Sequence, residues 1–190
     1  MVKKGFLEEA KCPWWICWSF DNPLRRLVHN SCRIMEGLVN EGDTALDLGC
    51  GEGYFTIDMA CLVGDSGRVF AVDIQEHMLK VVRRRAKRAG LESRIETILG
   101  SPDRLTIPAP VDFALAFWMV HEVPDKDRLM AEIAAAMKPG GRFLIVEPKW
   151  HVSLDSWNEM MKIAETAGLH QIEERPVKLS RAIILQKQNT

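Results

Sequence analysis

From Thr44 onward, short apolar runs alternate with longer segments whose apolar positions recur every three or four residues. The runs predict five strands: Thr44 to Leu48, Arg68 to Asp73, Arg94 to Leu99, Val111 to Phe117 and Arg142 to Glu147. Between them, helices are expected over about Glu52 to Val63 and about Glu76 to Ala89, the second stopped by Gly90. A further helix, capped by Asp125, carries Leu129, Ile133 and Met137 on its core face and ends at Pro139-Gly140-Gly141. Ser153 caps another, with Leu154, Trp157, Met161 and Ala164 inward and Gly168 as its stop.

Two last strands, about His170 to Arg175 and Arg181 to Gln186, are separated only by a turn near Pro176. So short a link forces an antiparallel hairpin, expected at the sheet edge. Near the N-terminus, Asp21 or Asn22 caps a helix begun by Pro23, with Leu24, Leu27, Val28, Ile34, Met35 and Leu38 on its buried side. The pattern is that of an α/β protein built on a mostly parallel sheet.

The segment Ala45-Leu46-Asp47-Leu48-Gly49-Cys50-Gly51-Glu52-Gly53 is a strand that breaks into a glycine turn and a helix start, the opening of a nucleotide-binding βαβ unit. Asp73 ends the next strand, where a carboxylate can hold both ribose hydroxyls. The dinucleotide fingerprint wants a glycine three after Gly51, and Tyr54 stands there. Asp47, Glu52 and Asp73 crowd the loop, with no Lys or Arg expected nearby to balance two phosphates. Such a loop suits a cationic ligand with an ammonium and a sulfonium.

The loop and Asp73 resemble motif I and the following acidic residue of class I S-adenosylmethionine (SAM)-dependent methyltransferases. Met137-Lys138-Pro139-Gly140-Gly141-Arg142-Phe143 looks like the family's late motif. The resemblance runs from roughly Gly42 to Lys187 and is closest to the small-molecule branch that includes the ubiquinone/menaquinone C-methyltransferases. It implies a Rossmann-like, seven-stranded, mostly parallel sheet with an antiparallel last strand and helices on both faces.

For the site, the resemblance implies that Asp47, Gly49, Cys50, Gly51 and Gly53 cradle the methionine end of SAM. Asp73 would take the ribose, with Ile74 and Met78 on the adenine, although Met78 also reads as plain helix core. The family's adenine-reading carboxylate has no direct match in Gly100-Ser101-Pro102-Asp103, which leaves Ser101, Pro102 and Asp103 as candidates. Phe117 and Trp118 would wall the pocket. His121, Glu122 and Glu147 are the candidates for orienting an acceptor or taking its proton. Their alternatives are a turn-stabilising His121, a helix-capping Glu122 and a solvated or hydrogen-bonded strand end at Glu147. Trp150 and His151 follow in the loop where substrate contacts are commonly built.

Charge and composition narrow the partners. A net charge of −1 leaves no electrostatic footprint for nucleic acid. The one basic run, Arg83 to Arg88 with Ala86 inside it, reads as a solvated helix face rather than an RNA or lipid contact. No apolar run approaches a membrane span and no signal peptide opens the chain, so a cytoplasmic protein is expected. Five cysteines, an odd count without zinc spacing, argue against disulfides and metal.

Residues 1–40 read as an aromatic segment plus helix, a lid or cap on a SAM-binding domain over residues 41–190. The segment Cys12 to Phe20 carries Trp14, Trp15 and Trp18; it could close over the pocket, anchor the first helix, contact a partner or a membrane surface, or carry thiol chemistry. The expected activity is methyl transfer to a small-molecule acceptor. The alternative is a SAM- or nucleotide-binding protein without catalysis, acting as a sensor or partner subunit. No oligomeric state follows from the sequence.

Overall fold

A computed structural model describes residues 28–101 and 104–188. Its elements in chain order are α1 Ser31–Met35, β1 Thr44–Leu48, α2 Tyr54–Leu62, β2 Arg68–Asp73, α3 Glu76–Ala89, β3 Ile95–Leu99 and β4 Val111–Phe117, then α4 Lys126–Ala136, β5 Met137–Pro148, α5 Leu154–Thr166, β6 Leu169–Glu174 and β7 Ser180–Lys187. The seven strands lie in the order β3-β2-β1-β4-β5-β7-β6. Neighbours among β1 to β5 pair in parallel, and β7 runs antiparallel to both β5 and β6. The hairpin therefore inserts its second strand beside β5 and leaves β6 at the edge.

Side-chain alternation along the strands builds two cores. Leu46, Phe70, Ala114 and Ile145 face one way, against Ile133 of α4 and Trp157 and Met161 of α5. Ala45, Val69, Leu115 and Leu144 face the other, against Met35 of α1 and Phe55 and Met59 of α2. Leu79 and Val82 of α3 pack with Ala71 and Cys50. Asp47 alternates with Leu46 and Leu48, so it shares the face of Ala45, on the side of α2.

Asp125 and Ser153 cap α4 and α5 as expected, accepting from Arg128 N at 2.9 Å and Ser156 N at 3.1 Å. Asn30 caps α1 through Arg33 N at 2.9 Å. The expected start of that helix at Pro23 lies outside the described residues, as does the Cys12 to Phe20 segment. Long-range arginines secure the end of α1: Arg175 reaches the carbonyls of Ile34 and Glu36, and Arg142 those of Gly37 and Leu38.

Several expectations need correction. The helix before Pro139 ends at Ala136, and Met137 is already extended and pairs with Val111 as the start of β5. A residue before proline is pushed out of the α region, so the stop acts upstream of Pro139. The late-motif glycines accordingly lie in an irregular stretch of strand, where pairing jumps from Val111 to Phe113. The helix expected from Glu52 begins at Tyr54, because Gly53 takes φ +83°. Val28 and Leu154, both assigned to buried faces, are exposed.

Candidate functional site

The chain leaves β1 through three left-handed residues, Gly49, Gly51 and Gly53, a conformation that costs glycine nothing. Gly49 N and Cys50 N both donate to Val72 O, at 2.8 and 3.0 Å, which pins the loop to the end of β2. Gly51 N then donates to Asp73 Oδ2 at 2.9 Å, and Gln75 N to Asp73 Oδ1 at 2.8 Å. Burial raises the Asp73 carboxyl above its ordinary value, against the opposing pull of these N–H groups and of His77.

The loop has a closed side and an open one. A Cβ on Gly49 would meet Met119 Cγ at 2.9 Å and one on Gly53 would meet Val82 at 3.0 Å. At Gly51 nothing lies within 4 Å. Of the three glycines, Gly51 is the one whose Cβ position is open.

Asp47 is 2% exposed and accepts a 2.5 Å hydrogen bond from Thr56 Oγ1 in the first turn of α2. Thr56 carried no sequence motif; the available signal was its place on the inward face of a helix that starts beside the loop. Burial, then the charges of Asp47 and Asp73, push the Cys50 thiol well above its ordinary range. Cys50 is 8% exposed and lines the loop.

One charge expectation is overturned. Arg85 Nη2 lies 3.2 Å from Glu52 Oε2, so a guanidinium does sit beside the loop. It belongs to the basic run that read as a solvated face, and the packing of α3 on the loop turns it inward. Arg83 is engaged as well, on Glu76 and Thr97. Since Arg85 is paired with Glu52, the carboxylates Asp47 and Asp73 still set the sign of the site.

On the expected adenine side, Ile74 is half-exposed, 3.4 Å from where a Gly100 Cβ would stand. Met78 is 2% exposed and part of the packed interior. Ser101 is exposed and bridges to Arg104, while Pro102 and Asp103 lie outside the described residues.

The end of β4 forms an aromatic wall. Phe117 is buried, with its ring 4.5 Å from Phe55 and 5.1 Å from His29. His29, 3% exposed and 3.1 Å from Lys178 O, had no signal in the sequence. Trp118 takes φ +58°, a strained value for a bulky residue. Its Nε1 donates to Ser180 Oγ at 2.9 Å, and its ring meets Trp150 edge-on at 4.9 Å.

Past Trp118 the chain makes a single 3-10 turn, Val120–Glu122. Glu147, at the end of β5, is 1% exposed and organises it. Its Oε1 accepts from Val120 N at 2.8 Å and its Oε2 lies 2.5 Å from His121 Nδ1. Of the two strand ends expected for Glu147, it is thus the hydrogen-bonded one and not the solvated one. Burial alone would lower the His121 pKa, but the hydrogen bond and charge of Glu147, helped by Glu122, carry it above the ordinary value. Glu122, 41% exposed, has its carboxyl raised by burial and by the charges of Glu147 and Asp73, against the pull of His121. His121 Nε2 lies 4.0 Å from Glu122 Oε1, and the His151 ring centroid is 4.8 Å away.

The structure so gathers the glycine loop, Asp73, Phe117, His121, Glu122 and Glu147 at the carboxyl ends of β1, β2, β4 and β5, where open parallel sheets bind ligands. A groove between α5 and the β6–β7 hairpin, about 1320 Å³, contains none of these residues. Among the described residues no His, Cys, Asp and Glu cluster could hold a metal. No described helix is long and apolar enough to cross a membrane. The donor set suits SAM: buried carboxylates for cationic and diol groups, beside a backbone position that a Cβ would fill.

Comparison with known proteins agrees. Residues 39–188 match the family model described as a methyltransferase domain. The ubiquinone/menaquinone biosynthesis C-methyltransferase UbiE of Escherichia coli is 34% identical over 110 residues, spanning 57% of this chain and 44% of that protein. The chain thus matches less than half the length of that relative. A SAM-dependent methyltransferase of Aquifex aeolicus shares the fold with a TM-score of 0.81 and 23% identity, covering 93% of this chain and 99% of that one. The SAM-dependent O-methyltransferase TM0748 of Thermotoga maritima follows with a TM-score of 0.69 and 24% identity, over 85% of this chain and 65% of that one. With a family match across most of its length and a strand order to fit, the chain belongs to the methyltransferase-domain family, among the class I SAM-dependent methyltransferases.

Proposed function

We propose that this chain binds SAM at the glycine loop and catalyses methylation of a small-molecule acceptor beside His121. The observation that carries the reading is Asp73: a buried carboxylate that accepts from the Gly51 N–H, at a turn where a Cβ on Gly51 would meet nothing and where the Arg85 guanidinium is already paired with Glu52. When bound, SAM supplies a methyl group on a sulfonium. The residues proposed to hold it are Asp47 with the Gly49, Cys50, Gly51 and Gly53 loop at the methionine end, Asp73 at the ribose, and Ile74, Met78, Ser101 and Pro102 around the adenine. Phe117 keeps water from the reacting side.

The catalytic proposals rest on His121, Glu122 and Glu147. Glu147 fixes the His121 ring through Nδ1, which leaves Nε2 to accept a proton from the acceptor. The imidazolium so formed is stabilised by the same buried carboxylate. Glu122 stands on the other side of Nε2 and orients the acceptor. That UbiE is named for ubiquinone/menaquinone biosynthesis supports a small-molecule acceptor.

The test uses SAM labelled in its methyl group, the full chain and the small-molecule fraction of a cell extract. Label should move into that fraction and fail to do so with Asp73→Ala. Label appearing in added protein or RNA instead would contradict the small-molecule reading.

A further inference from the structure

We propose that the rim formed by the loop after β5 and the turn between β6 and β7 docks on an anionic lipid surface. This inference does not depend on methyl transfer. Trp150, Leu179 and Leu154 are 62%, 60% and 56% exposed, three large apolar side chains turned to water along this rim. Leu179 also takes φ +62°. An apolar, γ-branched side chain held in the left-handed region and turned to water carries two costs at once, and persistent backbone strain tends to mark functional surface.

The rim is built rather than loose. Lys149 N donates to Leu179 O at 3.0 Å, joining the two loops. Trp150 leans edge-on against Trp118, whose indole N–H is held by Ser180. Arg181 Nη1 donates to Val152 O at 2.8 Å and fixes the loop from below.

Charge selects the occupant. Lys149 precedes Trp150 and Lys178 precedes Leu179, and the adjoining groove adds Lys162 and Arg181 against the carboxylates Glu165 and Glu174, Arg175 being paired with Glu173. Glu165 is taken by His170, and Asp155 lies in the first turn of α5. Lys149, Lys162 and Lys178 make no side-chain hydrogen bond or ion pair with any described residue. An indole at headgroup depth, aliphatic side chains below it and flexible lysines around it match the chemistry of an anionic bilayer surface.

A protein partner fits less well, because protein interfaces are depleted in lysine. The chain's own residues 1–27 carry five cationic and three acidic side chains, the same sign as the rim, so they are the poorer occupant.

The experiment is co-sedimentation of the full chain with vesicles of phosphatidylcholine alone and of phosphatidylcholine mixed with phosphatidylglycerol. Thermal melting of each variant monitors folding. The chain should bind the anionic vesicles selectively and release in high salt. Leu179→Asn, which tolerates the left-handed backbone, should keep the melting temperature and weaken binding. Trp150→Ser should weaken it too, and Lys149→Glu with Lys178→Glu should weaken it on the order of tenfold or more. Absence of vesicle binding, or equal binding to neutral and anionic vesicles, would overturn the proposal. So would unchanged binding by the rim variants, which would move the contact elsewhere, the tryptophan-rich N-terminal segment included. Self-association lost in Trp150→Ser, without vesicle binding, would assign the rim to a second copy and equally overturn it.

Discussion

The N–H of Gly51 donates to Oδ2 of Asp73 at 2.9 Å, so the carboxylate that ends β2 also shapes the turn after β1. Loop geometry and ligand recognition are thereby tied to one side chain. Asp73→Ala should weaken S-adenosylhomocysteine binding by roughly ten- to a hundredfold, since hydrogen bonds to a charged group contribute about 1.5–3 kcal/mol. Calorimetry of the variant checks this. Because burial raises the Asp73 pKa, the wild-type affinity should begin to fall, as pH is lowered, at a higher pH than the ordinary carboxylate value of 3.8 implies.

Gly49 and Gly51 should respond differently to a methyl group. Both have positive φ, so each alanine variant should lose about 1–2 kcal/mol from strain. Gly49→Ala must also displace Met119, 2.9 Å from the new carbon, and should melt lower. Gly51→Ala meets nothing within 4 Å. Its loss should appear mainly as cofactor affinity, because the methyl fills the space left for the ligand. Melting curves and titrations of the pair give the comparison.

Thr56→Val should destabilise the protein by about 1–3 kcal/mol. The substitution keeps the shape while removing the hydroxyl that Asp47 accepts from at 2.5 Å in a buried position. Denaturant unfolding measures the change. Cofactor affinity should fall too, since Asp47 then loses one of the contacts that hold its carboxylate.

Glu147→Gln should lower the His121 pKa, read by NMR titration of the imidazole. Glutamine retains an oxygen for Val120 N but loses the charge that offsets burial, Glu122 and Lys126 being the other charges that face the ring. A histidine whose folded pKa is raised adds stability that is fully present below its unfolded value, near 6.5, and is lost as pH rises through the folded value. The stability gap between wild type and variant should therefore be widest in mild acid and narrow above the raised pKa.

Where one face of a strand or helix is buried and a glycine marks the end, the sequence was a good guide. β1 and α3 have the expected C-terminal ends because the pattern there stops at Gly49 and Gly90. Side-chain alternation also put Asp47 and Asp73 beside the loop. What periodicity does not carry is how elements dock. Arg85 looked solvated because its helix is amphipathic, and only the packing of α3 brings it to Glu52. Leu154 fits the helical period of α5, yet it sits in the first turn, beyond the edge of the sheet that covers Trp157 and Met161. The pairing of His121 with Glu147 joins two strand ends 26 residues apart, a distance set by the parallel β4–β5 pairing rather than by any local motif.

The most direct test of the central claim, a SAM site formed by the glycine loop and Asp73, is calorimetric titration of the full chain with S-adenosylhomocysteine, SAM and NAD. The first two should bind at one site, both should lose affinity in Asp73→Ala, and NAD should bind far more weakly. Tighter binding of NAD, or SAM affinity unchanged by Asp73→Ala, would contradict it.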